Sequence, residues 1–421
     1  MLTTLFVNNF RGFTNTYIPL KDVNFLVGEN STGKTSILKL YKLVTEAEFW
    51  LRFSFNTEDI NLGPFSEIVN GYSAQKDSFE IGVENTHITK DGKIITMYWF
   101  KFTNIDDVPL LTAYKYYEKQ KTIYCQLSQE KQVLYSIINE TKKISFKSWI
   151  DSQVTEELYV LPHVYPLNRL IFALTLQAIE DVSRDEKTRN AGYKFPTPSF
   201  STNWVDPIRA KAKRIYEAYN VNYSAEGEHI PVVLKKILSA ENPDRTKNKK
   251  MLKAFGKTSG LFDELVIHNY GRAKNAPFSI TVKQDGLPVN LTNVGYGVSQ
   301  ILPPLIDILV AKSQMFVIQQ PEVHLHPKAQ ASFGDFLFQS ALNQHNSFMI
   351  ETHSNYMIDR FRYAMHCESN QLKVQVLYFY RANHGTEVQP IDIDTSGRLQ
   401  EERPIEYDEF FVDEDIKLME V

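Results

Sequence analysis

The chain has 421 residues, 43% of them hydrophobic and 23% charged, enough to bury a large core as one big domain with an insertion or as two modest domains. A net charge of −4 and a pI near 6.2 exclude a global attraction to phosphate polymers, so any nucleic-acid contact would need a local patch. Only Cys125 and Cys367 occur, without metal-ligand spacing, and no stretch of about 18 apolar residues follows a charged leader or appears elsewhere. These features point to a reducing, cytoplasmic location with two packing cysteines, no disulfide framework, no zinc site and no membrane partner.

Residues 2–7, 15–19 and 23–27 read as short strands, the last running into GENSTGKTS (28–36) and an apolar-periodic helix from 37 to about 49. From 79 to 150 the runs FEIGVEN, IITMYWFKF, TIYCQL and QVLYSI alternate in the manner of antiparallel strands. Helical patterns dominate from about 167 to 252, broken by FPTPSFSTNW and the AEGEHIP turn, so the middle reads as an insertion. After 290, helix 298–312, strand 315–319, helix 327–342, strand 348–351, then helix and strand give a βαβ rhythm that implies parallel pairing. The last 25 or so residues are acidic and read as an appended tail. No long heptad stretch is present.

GENSTGKTS matches GxxxxGK[ST] and sits where its mechanism requires, between a strand and a helix. Gly28 and Gly33 let the backbone curl so that successive N–H groups face a polyphosphate, with the positive end of the helix behind them. Asn30, Ser31, Thr32, Gly33, Lys34, Thr35 and Ser36 are thus candidate nucleotide contacts. Lys34 is placed to bridge the β and γ phosphates and the Thr35 hydroxyl to ligate Mg²⁺. Farther on, FVIQQPEVHLHP (316–327) is an apolar strand followed by a polar pair, a proline and a turn opening a helix. FMIETHSN (348–355) repeats the design, with His353 just past a strand end. NVGYGVSQILPPL (293–305) sets Gly295, Gly297 and Ser299 ahead of a helix, a second place where bare N–H groups can meet phosphate.

With NNFRGF (8–13) at the start, these five landmarks in this order resemble the ABC-type ATPases of the SMC, Rad50 and overcoming-lysogenization-defect kind, especially compact bacterial AAA-type members of anti-phage systems such as PARIS and Septu. WVDPIRAKAKRIYEAY (204–219) and GEHIP (227–231) extend the likeness through most of the chain. The resemblance implies an α/β fold: an ABC-type P-loop ATPase head with a mixed sheet, an antiparallel β subdomain and a mostly helical insertion. Its implied parts are 1–105 and 286–395 for the head, 106–285 for the insertion and 396–421 for the tail. It implies a head-to-tail dimer, or a larger ring, in which ATP with Mg²⁺ on one P-loop is closed over by Gly295, Gly297 and Ser299 of the other subunit. His353 would sense the γ-phosphate and Arg11 would lie near the nucleotide.

One position departs from the family. Where relatives carry an acidic residue for the Mg²⁺ shell, often followed by a glutamate that polarises water, this chain has Gln319 and Gln320. An amide can orient water and offer a carbonyl to metal but brings no charge, so Gln319 as a metal ligand and the Gln319/Gln320 pair as catalytic residues predict slow turnover. Either the ATPase is a naturally slow clamp, or Gln319 is a Glu→Gln variant that traps the ATP state; the familiar EQPE ending of this strand among relatives favours the second. Glu322, beyond Pro321, is expected at the subunit interface.

Asp392 and Asp394 mimic the paired acids of a Toprim nuclease, but only 27 residues follow, and alternating charge on an edge strand is the ordinary reading. The family analogy therefore implies a separate effector, a Toprim or HNH nuclease, and a phage protein as trigger. The alternative is a DNA-binding ATPase of the recombination or repair type. It rests on two basic clusters placed in the helical insertion, Arg209/Lys211/Lys213/Arg214 and Arg245/Lys247/Lys249/Lys250/Lys253.

Overall fold

The computed structural model describes residues 2–411 apart from 58, 90–91, 128–132, 155–157, 161–201, 218, 220–221 and 384. The chain forms two compact units that cut across its linear order: 1–20, 29–201 and 379–388 make the first, and 21–28, 202–378 and 389–421 the second.

In the first unit, β1 (Leu2–Asn8) and β2 (Thr16–Pro19) precede β3 (Val23–Gly28), which belongs to the second unit; α1 (Lys34–Thr45), α2 (Ala47–Arg52) and α3 (Phe65–Ile68) follow. Then come β4 (Ser78–Thr89), β5 (Gly92–Ile105), β6 (Val108–Glu118), β7 (Lys121–Leu127), β8 (Val133–Asn139), α4 (Phe146–Asp151) and β9 (Tyr159–Val160). The strands form one antiparallel sheet in the order β2-β1-β4-β5-β6-β7-β8-β9, as the alternating runs predict. Asp106/Asp107 and Lys119/Gln120, with positive φ, close two of its hairpins, a conformation whose twist matches that of the strands it joins.

Alternation alone predicts one wet face, yet Thr96–Phe100 of β5 are buried throughout because both faces are covered. On one side Trp50 and Phe53 of the α2 segment meet Phe100 at 5.1 and 5.3 Å, and Phe55 meets Phe102 at 5.0 Å. On the other, Phe6, Met97 and Trp99 pack with Phe146 and Trp149. Each such aromatic contributes roughly 1.5–3 kcal/mol through area removed from water. The buried Lys115 points its ammonium at the carbonyls of Trp149, Ile150 and Ser152, closing the α4 end, and burial pulls its pKa down.

The second unit adds β10 (Thr202–Val205), α5 (Ile230–Leu238), α6 (Arg245–Ser259), β11 (Glu264–Asn269), β12 (Phe278–Gln284) and β13 (Leu287–Asn290). After these come α7 (Tyr296–Val310), β14 (Met315–Gln319), α8 (Pro327–Gln344), β15 (Ser347–Glu351), α9 (Asn355–Cys367), β16 (Val374–Ala382) and β17 (Gly385–Ile393), the last two contributing residues 379–388 to the first unit. Its main sheet runs β10-β14-β15-β3-β16-β17, with β10–β14, β14–β15 and β15–β3 parallel, as the βαβ rhythm predicts. β11, β12 and β13 make a separate antiparallel sheet.

Two expectations change here. Residues 204–219 are not helical: Trp204 lies in β10, an edge strand beside β14, and the described residues from 206 to 229 are turns and irregular chain. A four-residue strand leaves little period to read, and its pairing is with residues more than 100 positions away. The helical pattern from 167 to 201 falls outside the described residues. Cys125 is buried, its thiol pushed up to about 12 by burial, but Cys367 is exposed at the end of α9 rather than packed. Among the described residues no helix is long and apolar enough to cross a membrane.

Candidate functional site

The glycine loop has the backbone its sequence demands. Ser31 and Gly33 take φ of 61° and 85°, and α1 begins at Lys34 after an N-cap residue that offers no side-chain cap. A Cβ on Gly33 would lie 2.7 Å from the ring of Phe13, so both the positive φ and the close aromatic require glycine. Thr32 Oγ1 donates to Glu29 O at 2.8 Å, and the buried Lys34 Nζ donates to the same carbonyl at 2.5 Å, holding the ammonium over the loop's concave side. Thr35 is half-buried and Asn30 and Ser31 are exposed. Arg11, itself at positive φ, donates through Nη1 to Ser36 Oγ at 2.9 Å and through Nη2 to Leu62 O at 3.0 Å, which brings the NNFRGF segment against the loop. Burial lowers the Arg11 pKa, partly opposed by Glu67.

The other landmarks converge at strand ends in the second unit. β14 ends at Gln319, and Gln320 follows with φ of 41°. Gln319 is buried and its amide Nε2 donates to Glu351 Oε2 at 3.2 Å, while Gln320 N–H donates to Glu351 O at 2.8 Å. Beyond Pro321 the chain turns back on itself, and Glu322 Oε1 accepts the His353 N–H at 2.7 Å. The turn is local, since Val323 N–H and Leu325 N–H close it on the carbonyls of Gln320 and Glu322. His353 is half-buried, its ring 6.2 Å from that of Phe410. Ser354 caps α9 through Met357 N–H.

Gly295 is exposed at the start of α7 with open space where a Cβ would be, whereas a Cβ on Gly297 would meet His324 O at 2.7 Å. Gly297 therefore has a packing duty against the turn after β14, in addition to any ligand. Ser299 Oγ donates back to Tyr296 O at 2.8 Å.

Arg209 and Glu351 escaped sequence reading as site residues. Arg209, taken as part of a surface basic cluster, is only 2% exposed, with Nη2 directed at Gln319 O at 3.4 Å. Burial pulls its pKa down to about 10, opposed by the nearby charges of Glu322 and Asp206, so it stays cationic at neutral pH. It is there because β10 carries the chain alongside β14. Glu351 could have been suspected as an acid at a strand end next to the parallel strand bearing the two glutamines. Asp392 and Asp394 have ordinary duties: the first pairs with Lys21, and the second accepts from Ser396 and Arg398 N–H, which lowers its pKa.

Burial raises the Glu322 pKa, against the lowering effects of the His353 N–H and of Arg209. A carboxyl with a raised folded-state pKa binds more protons folded than unfolded, so its contribution to stability falls as pH rises through that window. Wild type is therefore expected to gain stability relative to Glu322→Gln on acidification from pH 7 toward 5. Paired thermal melts across that range check it.

A glycine loop that opens a helix after a strand of a parallel sheet, with a lysine and a hydroxyl at its mouth, defines a P-loop nucleotide-binding protein of the α/β class. The chain belongs to the AAA ATPase domain family, whose model matches residues 1–358. Among solved structures it is similar to an SMC head bound to the C-terminal winged-helix domain of ScpA, at 10% identity and a TM-score of 0.45 over 94% of this chain and 98% of that one. It is also similar to the SMC head domain from Thermotoga maritima (12% identity, TM-score 0.39, 92% and 98% covered). A third is an SMC head with an extended coiled coil bound to the C-terminal domain of ScpA, from Pyrococcus furiosus (11% identity, TM-score 0.40, 100% and 98% covered). No curated protein matches the sequence.

The loop's residues suit a polyphosphate: its conformation is one a Cβ at Gly33 would obstruct, and it carries an ammonium at a helix start whose N-cap residue offers no side-chain cap. In the second unit, the neighbouring Gln319 and Glu351 carry hard oxygen donors of the type Mg²⁺ selects.

Proposed function

We propose that this chain is an ABC-type ATPase of the SMC-like kind that binds ATP with Mg²⁺ on residues 30–36 and works by nucleotide-gated head-to-tail self-association. The observation that carries it is the loop itself: residues folded for phosphate, with Lys34 held above them and Arg11 tied to Ser36. Lys34 would exchange its carbonyl partner for phosphate oxygens, and Thr35 with Gln319 would serve the metal, which supplies charge neutralisation of the phosphates. Gln320 and His353 would orient the attacking water and sense the γ-phosphate. Gly295, Gly297 and Ser299 would close over the nucleotide of a second copy, a role supported by the exposure of Gly295 at a helix start.

With an amide at both 319 and 320, turnover is slow and the ATP-bound assembly long-lived. Such a clamp suits the holding and release of a separate effector nuclease in response to a phage protein. The ordinary duties of Asp392 and Asp394 support placing the nuclease on another chain.

Lys34→Ala is expected to weaken ATP binding about 10–100-fold, the loss of charge-assisted hydrogen bonds to phosphate, without lowering stability. Light scattering should show ATP-driven association of wild type, none of Lys34→Ala or Ser299→Arg alone, and partial recovery when the two variants are mixed, because one composite site is then intact. No recovery on mixing would sink the head-to-tail arrangement.

A second reading, a DNA-binding ATPase, would rest on one feature: Lys247, Lys250, Lys253 and Lys257 are exposed along α6. DNA affinity that falls steeply with salt and disappears in Lys247→Glu/Lys250→Glu would select it.

A further inference from the structure

The second unit holds a buried carboxylate beside the position that lacks one. On the adjacent parallel strands β14 and β15, Gln319 stands opposite Glu351 at the last paired position. The two residues are 7% and 5% exposed, and Gln319 Nε2 donates to Glu351 Oε2 at 3.2 Å. A carboxylate only accepts hydrogen bonds, so Glu351 selects the NH₂ end of the amide and leaves the carbonyl oxygen of Gln319 to face elsewhere. The following residue is held as well, through Gln320 N–H to Glu351 O at 2.8 Å. One side chain thus orients the amide, and its own backbone anchors the turn after β14.

A hard divalent cation needs negative charge as well as oxygen donors, and neither Gln319 nor Gln320 brings any. We propose that Glu351 supplies the negative charge missing from the end of β14, so that Gln319 and Glu351 act as one amide–carboxylate pair toward a divalent cation. This assignment rests on the ATPase reading above and adds a metal-site residue to it. It also gives Glu351 a reason to be ionisable in a place where burial otherwise favours an apolar residue.

The test is Mn²⁺ binding to the full chain, read by electron paramagnetic resonance with a non-hydrolysable ATP analogue present, alongside analogue binding in EDTA. Glu351→Gln, which keeps shape and removes charge, is expected to weaken Mn²⁺ binding about 10–100-fold while analogue binding in EDTA stays within about twofold. Unchanged Mn²⁺ affinity in Glu351→Gln overturns the assignment. Should Glu351→Gln fail to fold, Glu351→Asp and Glu351→Asn form a size-matched pair differing in charge: tighter Mn²⁺ binding by the Asp variant supports the role, and equal binding overturns it. Failure of wild type to bind the analogue even in EDTA would instead bring down the ATPase reading, which separates the two.

Discussion

Arg209→Ala is expected to destabilise the protein by about 1–3 kcal/mol, the cost of removing a buried cation that bonds Gln319 O and lies near the carboxyl of Glu322. Arg209 is buried beside β14, and Glu322, whose pKa is already raised by burial, would lose the cation that favours its ionised form. Arg209→Lys should not restore stability, since an ammonium is a compact, strongly hydrated charge that costs more to bury than the delocalised guanidinium and lacks the reach to Gln319 O. Adding Glu322→Gln to Arg209→Ala should recover part of the loss, because the orphaned carboxylate is then gone, and a double-mutant cycle by urea unfolding measures the coupling. A surface arginine on a DNA-binding cluster would behave otherwise, with stability within about 0.5 kcal/mol of wild type and DNA affinity reduced. Arg209 therefore separates a structural role next to β14 from an electrostatic one on the surface.

Gln319→Glu is expected to raise Mg²⁺-dependent ATP turnover by about tenfold or more, through charge restored to the metal shell. The same change sets two carboxylates against each other where an amide now donates to Glu351 at 3.2 Å. Without metal, like charges in a buried site oppose each other's ionisation, at a cost of about 1–3 kcal/mol. Metal-free Gln319→Glu should therefore be less stable than wild type, with the deficit growing as pH rises from 5 to 8 and closing when Mg²⁺ and ATP are added. Thermal melts with EDTA and with Mg²⁺–ATP, together with phosphate release, check both halves. Brisk turnover by the chain as it stands, or no gain from Glu at 319, would remove the reason for regarding Gln319 as the slow step.

Much of the site was legible in the residues because its chemistry is local. GENSTGKTS dictates a turn that glycine alone accommodates at 33, followed by a helix, and no distant contact is needed to read it. The period of two from 79 to 150 and the strand and helix spacing after 290 likewise carry their own signal, and the structure has the antiparallel sheet and the parallel β14–β15–β3 pairing they imply. Tertiary structure alone decided that Trp204 sits in an edge strand, that Arg209 is buried beside β14 and that Glu322 accepts the His353 N–H. It also decided that Glu351 faces Gln319. Local backbone preference is written in a few consecutive residues, whereas burial and charge pairing depend on which distant strand comes alongside, and that is settled only when the sheet closes.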